Sequence, residues 1–296
     1  MELCLGTVQL GMDYGIQRAG QPTTSDAFEI LGFALHSGIS AIDTAAAYGT
    51  AETIVGAFIK KHGNIRENLE LISKLSPTAL VDVPQEHYAA TIRECLMQSL
   101  RKLNAEYLDG YLLHNPAHIY EDVIADAILK LKQEGLVKRI GASVYTPDEA
   151  KKGIERGFDL LQIPYSVFDQ RMDEQGVLEL AERKSVKLHS RSAFTQGLML
   201  MDESDIPPRL EAAKPVVRKL SRFCEEHCIT RLQLAIAFVG RQKSVSHLVF
   251  GVDRKEQLVE IVGAYDHPIA EGILYEAAKQ FSGLDEDIAM PSKWGR

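Results

Sequence analysis

What most restricts the fold of this chain is a beat that repeats eight times. A short apolar run is followed by a longer stretch with helical spacing. The runs are LCLGTV (3–8), SAIDT (40–44), LELISK (69–74), LDGYLLH (108–114), VKRIGAS (137–143), DLLQI (159–163), VKLHS (186–190) and SHLVFG (246–251). The helical stretches between them are 25–37, 51–62, 86–103, 121–134, 147–156, 174–184, 208–228 and 254–263, with 229–242 as a second helix before the last strand. Apolar runs of this kind suit strands covered on both faces, as in a parallel sheet. Eight β-then-α units predict a closed (β/α)8 barrel of the TIM type, with residues 1–296 as one domain.

Turn signals agree with that division. Thr24 or Ser25 stands where a cap for 25–37 is needed, and Thr146-Pro147 opens another helix with Pro in its first turn. Gly135 stops ILKLKQE, and Val137 begins the next strand. The tail, roughly 270–296, is mixed; it either packs over a barrel mouth or frays. An open doubly wound sheet is the alternative architecture. It would want G-x-G-x-x-G after an early strand, a spacing that Gly6, Gly11, Gly15 and Gly20 do not make.

Composition narrows the partners. The net charge of −8, from 33 basic and 41 acidic residues, argues against nucleic acid or an anionic membrane. An anionic cofactor would therefore need a local basic pocket. No run of about 18 apolar residues predicts a membrane span. MELCLGTVQL lacks the features of a secretory signal, and four cysteines in 296 residues make no disulfide framework, so the chain reads as cytoplasmic. Cys224, His227 and Cys228 share a helix face, but no fourth metal ligand is evident nearby and the segment reads as an ordinary amphipathic helix.

In a barrel of this type the chemistry sits at the C-terminal strand ends. Strand two ends at Asp43, with Tyr48 in the loop after it. Strand three ends at Lys74 and strand four at His114. An acid, a phenol, an amine and an imidazole thus converge from three consecutive βα junctions. A phenol has an ordinary pKa of about 10. An adjacent ammonium favours the phenolate and lowers that value. Lys74 can supply the ammonium, Asp43 can hold it, and His114 can orient a substrate oxygen. The set suits proton transfer to a carbonyl oxygen, half of a carbonyl reduction; the other half, hydride delivery, needs a nicotinamide.

GISAIDTAAAYGTAE, LISKL and YLLHNP resemble, in order and spacing, three motifs of the aldo-keto reductase family. The likeness continues through RIGAS, LLQIPYS, HSRSAFTQGLML and FGVDRKEQL, almost the whole chain. It implies a (β/α)8 barrel and metal-free reduction of an aldehyde or ketone, with NADP(H) in preference to NAD(H). It implies that Asp43, Tyr48, Lys74 and His114 form the catalytic tetrad. Ser143 and Gln162 match positions that bind the nicotinamide carboxamide, although Val144 replaces a frequent Asn. His189 is placed where a tyrosine commonly stacks on the nicotinamide. Gln196 and Gly197 match a loop over the pyrophosphate. Gly251, Asp253, Arg254 and Gln257 match the adenosine end, where the Asp253 charge opposes a 2′-phosphate and Arg254 attracts one.

Three other readings stay open at this stage. A non-catalytic nicotinamide-binding regulatory protein could use the same barrel. A metal-dependent barrel hydrolase or isomerase could draw on His114 and His118, but no His-x-His pair occurs and Lys74 would compete with a cation for Asp43. The same family chemistry could run as oxidation of an alcohol or sugar. Substrate selection falls to the loops over the mouth: residues 12–22, Asn115–Tyr120, Tyr145, Phe168, Phe194 and the tail, with Tyr14, Tyr145 and Phe168 as candidate walls.

Overall fold

The computed structural model describes residues 1–16 and 20–294. Part of the 12–22 loop, residues 17–19, and the last two residues of the tail lie outside the described residues. Eight parallel strands close into a barrel in sequence order. They are β1 (Glu2–Gly6), β2 (Ala41–Asp43), β3 (Glu70–Leu75), β4 (Gly110–Leu113), β5 (Ile140–Ser143), β6 (Leu160–Pro164), β7 (Lys187–Arg191) and β8 (Val245–Gly251). β8 pairs back onto β1, from Glu2 opposite His247 to Gly6 opposite Gly251.

Successive strand residues face opposite sides of the sheet. One set points outward into the main core between strands and helices, which includes Leu5, Ile42, Leu71, Tyr111, Ala142, Leu161, Leu188 and Phe250. The other set points down the barrel axis, where Ile72, Leu112 and Leu160 form a separate small cluster. This parity decides the site. On β3, Glu70, Ile72 and Lys74 share the inner face, and on β7 so do His189 and Arg191.

Helices fill the outer ring, among them Thr24–His36, Ala51–His62, Tyr88–Leu103, Asp122–Gln133, Pro147–Glu155 and Arg231–Gly240. The first is capped by Thr23 rather than by Thr24 or Ser25. Its side chain accepts from the Asp26 amide in a reciprocal capping box. Thr146 makes the same box with Glu149 ahead of Pro147. Gly135 takes a φ of 76° just past its helix, as an αL stop requires. Val137 makes only an isolated bridge to Leu108, and β5 itself begins at Ile140. The apolar run at 3–8 stops being strand at Gly6, because Val8–Gly11 turns into a single helical turn. The stretch 208–228 divides into a 3-10 segment, Pro208–Ala213, and a helix, Lys214–Glu226. The tail carries the helices Glu271–Gln280 and Glu286–Ala289.

Candidate active site

Asp43 is the last residue of β2, and Lys74 is next to last in β3. The loop after Asp43 is tied to β3 by backbone bonds from the Thr44 amide to the Ile72 carbonyl (2.8 Å) and from the Ala46 amide to the Lys74 carbonyl (3.3 Å). It then turns so that Tyr48 comes back over Lys74. The fully buried ammonium of Lys74 donates to Asp43 Oδ2 at 2.6 Å, to the Thr44 carbonyl at 3.0 Å and to the Tyr48 hydroxyl at 3.4 Å. His114 follows β4 directly, and its ring meets the Tyr48 ring edge-on, with centroids 5.6 Å apart. The four residues picked out at three strand ends therefore stand in one group.

Burial and charge set the protonation states. Burial drives the Tyr48 phenol above its ordinary pKa; Lys74 pulls it back and Asp43 adds to the rise. The expectation of a lowered phenol pKa is thus corrected. The ammonium does favour the phenolate, but desolvation outweighs it in this enclosed setting. Burial also works against the charge on Lys74, yet Asp43 and then Tyr48 more than compensate, and its pKa is raised. His114 falls to about 3, through burial first and then the nearby positive charges of Lys74 and Arg191. At neutral pH the group is a protonated phenol beside an ammonium and a neutral imidazole.

The cofactor residues divide. Ser143 is buried at the end of β5, directly opposite Gln162 on β6. Gln162 donates its amide Nε2 to Asp43 Oδ1, so it braces the carboxylate that braces Lys74. His189 does not reach the cleft. It is wholly buried two residues before the end of β7, against the His247 ring, and it cannot stack on a nicotinamide at the mouth. Arg191, on the same inward face and one step higher, stands at the rim. Its guanidinium donates to the Val144 carbonyl at 2.7 Å and lies 4.4 Å over the Tyr145 ring. The sequence signal was the strand parity of H-S-R, which leaves the choice open until the strand end is known.

Gln196 and Gly197 sit in a turn with positive φ, 54° and 97°, and the Gln196 amide donates to the Tyr14 hydroxyl at 3.1 Å. Gly251 abuts Gln9 so closely that a Cβ would lie 2.0 Å from Gln9 Oε1. Gln257 turns its side-chain oxygen onto the amides of Asp253 (2.9 Å) and Arg254 (3.3 Å), capping the helix Lys255–Tyr265.

A cleft of about 640 Å³ opens at the rim by Arg191, with Tyr14, Tyr145, Arg171, Arg209 and Trp294 also in its walls; Asp43, Tyr48, Lys74 and His114 are not among its lining residues. Residues Met290–Trp294 of the tail contribute to it. Phe168 does not, being buried against Phe281. Arg171 is committed to Asp169 and Glu286, whereas the buried Nε of Arg191 has no partner. Its lining sets Arg171, Arg191, Arg209 and Lys293 against Asp13 and Asp169, a local excess of positive charge in a chain of net charge −8, which suits an anionic ligand. A second hollow of about 440 Å³ is lined by Asp26, Glu29, Asp253, Arg254, Lys255 and Glu256.

A sequence profile described as the Aldo/keto reductase family matches residues 2–272, and the chain belongs to that family. The Tas protein of Escherichia coli K12 is 26% identical over an alignment of 333 residues that covers 93% of this chain and 92% of Tas. Among solved structures, the holo form of aldo-keto reductase AKR11C1 from Bacillus halodurans superposes with a TM-score of 0.75. It is 22% identical and covers 95% of this chain and 91% of its own. A thermostable aldo-keto reductase, Tm1743, solved with the inhibitor epalrestat, gives a TM-score of 0.71 at 23% identity, covering 94% of each chain. Members of the family are oxidoreductases that act on small carbonyl compounds with a nicotinamide cofactor, commonly NADP(H). Among the described residues no helix is long and apolar enough to cross a membrane.

Proposed function

We propose that this protein reduces an aldehyde or ketone with a nicotinamide cofactor, and that Tyr48 is its general acid. The observation that carries the reading is the position of the Lys74 ammonium, shared between the Asp43 carboxylate and the Tyr48 hydroxyl. Bound reduced nicotinamide supplies the hydride. Tyr48 gives its proton to the carbonyl oxygen, and Lys74 stabilises the phenolate that remains. Asp43, steadied by Gln162, keeps Lys74 charged and in place. Neutral His114 orients the carbonyl oxygen by a hydrogen bond. In oxidation of the alcohol the same phenolate takes the proton back. Arg191 and Gln196 hold the cofactor at the main cleft.

The preferred cofactor is NADP(H). Arg254 and Lys255 stand at the start of an eleven-residue helix, where side-chain cations and the helix terminus both favour phosphate. Asp26, Glu29, Asp253 and Glu256 oppose them in the same hollow. A fluorescence titration with NADPH and NADH in parallel tests the balance. Tighter NADPH binding that is lost in Arg254→Ala is expected; tighter NADH binding would mean that the carboxylates decide. Tyr48→Phe is expected to bind the nucleotide normally and to lose at least about a thousandfold in turnover on a carbonyl panel, the upper part of the general-acid range. Unchanged turnover would remove Tyr48 from the chemistry.

A further inference from the structure

At the end of the barrel away from Tyr48, the axis is occupied by side chains that carbonyl reduction does not use. Glu70 opens β3, four residues below Lys74 on the same inner face. His189 of β7 and His247 of β8 reach in beside it. Candidate ligand atoms of the three all lie within 4.8 Å of one another. His189 Nε2 is 3.9 Å from Glu70 Oε1, and His247 Nε2 is 3.9 Å from Glu70 Oε2 and 3.5 Å from Glu2 Oε2. Neither ring nitrogen of the wholly buried His189 has a hydrogen-bond partner, nor has His247 Nε2.

Buried imidazole nitrogens are normally paired, so this group asks for an occupant. The separations are too long for direct hydrogen bonds, which close by about 3.2 Å. They are near the spacing of two ligands on one tetrahedral ion, about 3.3 Å for bonds of about 2.0–2.1 Å. The Ser246 hydroxyl lies 3.2 Å from His247 Nδ1, the outer-shell contact that fixes a ligating ring. Arg139 lies 2.7 Å from Glu70 Oε1, the same oxygen that faces His189, and its charge opposes a cation. Glu2, largely exposed, supplies the compensating carboxylate and a route to solvent.

We propose that Glu70, His189 and His247 bind one divalent transition-metal ion of the zinc type at the floor of the barrel, with Glu2 as fourth ligand. Two imidazoles and carboxylate oxygen make a mixed N/O set that zinc or cobalt accepts in tetrahedral geometry. The ion pins β1, β3, β7 and β8 together where the cylinder closes. Its role is structural, because the N-terminal face of such barrels serves stability. The assignment does not depend on the reductase reading.

The test uses the full-length protein stripped with chelator and titrated with Co²⁺, followed by visible absorption and thermal unfolding. One equivalent is expected to give an intense four-coordinate band without thiolate charge transfer, to raise the unfolding midpoint and to be displaced by Zn²⁺. His247→Gln should abolish the band. Glu2→Gln, at an exposed position that does not burden folding, should weaken binding by about tenfold or more, taking the lower end of the outer-shell range as a floor for a ligand. Failure of the folded wild-type protein to bind Co²⁺ or Zn²⁺ stoichiometrically would overturn the site. So would uptake that survives both substitutions, or a thiolate band, which would place the ion on the cysteines.

Discussion

Tyr48 holds its proton more firmly than a free phenol does, because burial penalises the phenolate by more than Lys74 rewards it. A reduction that needs the acid form therefore keeps its rate well into alkaline solution. We expect kcat/KM for reduction by the free enzyme to be flat from about pH 5 to pH 9 and to fall only above about pH 10. The oxidation direction, which needs phenolate, should climb over the same alkaline range. His114, lowered to about 3, contributes no limb near neutrality. A limb centred near pH 6.5 in the reduction profile would mean that an ordinary histidine titrates there, and would cost His114 its assignment as a neutral orienting group. The four residues of this group were readable because each lies at or just beyond a strand end. Arg191 was missed in favour of His189 because both face inward on β7, and two residues along a strand separate rim from interior.

At the scale of elements, the strands were legible because parallel strands buried on both faces leave continuous apolar runs. What could not be read is where one element presses on another. The Tyr48 loop is held by such a contact. Gly11 and Gly49 let two backbones cross: the Thr50 amide donates to the Gly11 carbonyl at 3.1 Å, and a Cβ on Gly11 would lie 1.9 Å from the Tyr48 carbonyl oxygen. Backbone cannot yield as a flexible side chain can, so Gly11→Ala must move the loop. We expect a stability loss of about 1–3 kcal/mol, the usual cost of overpacking. We also expect kcat to fall about tenfold or more, since an ångström of misplacement is costly to catalysis. Gly32→Ala is the control. It lies inside a helix, a Cβ there meets nothing within 4 Å, and the change should be neutral or stabilising by up to about 1 kcal/mol. Equal kcat in Gly11→Ala and wild type would show that the crossing does not position Tyr48.

At the scale of the molecule, enclosing imidazoles in the fold ties its stability to pH. The native His114 pKa of about 3 lies below the ordinary 6.5, and burial lowers His118 as well. Between those two values the unfolded chain takes a proton on His114 that the native state refuses. Stability is therefore full above about pH 6.5 and declines as pH falls through the window, by about 1.4 kcal/mol per pH unit for His114. Carboxylates do not confuse the reading between about pH 7 and pH 5, because their ordinary values lie near 4. Urea unfolding of the wild-type protein should thus show a lower midpoint at pH 5 than at pH 7, with an unchanged slope. His114→Gln, which cannot take the proton, should lose less over the same interval, even if it begins from a lower value at pH 7. Equal losses in the two proteins would mean that His114 is protonated as readily in the folded state as in the unfolded one, and that the mouth of the barrel is wetter than its packing implies.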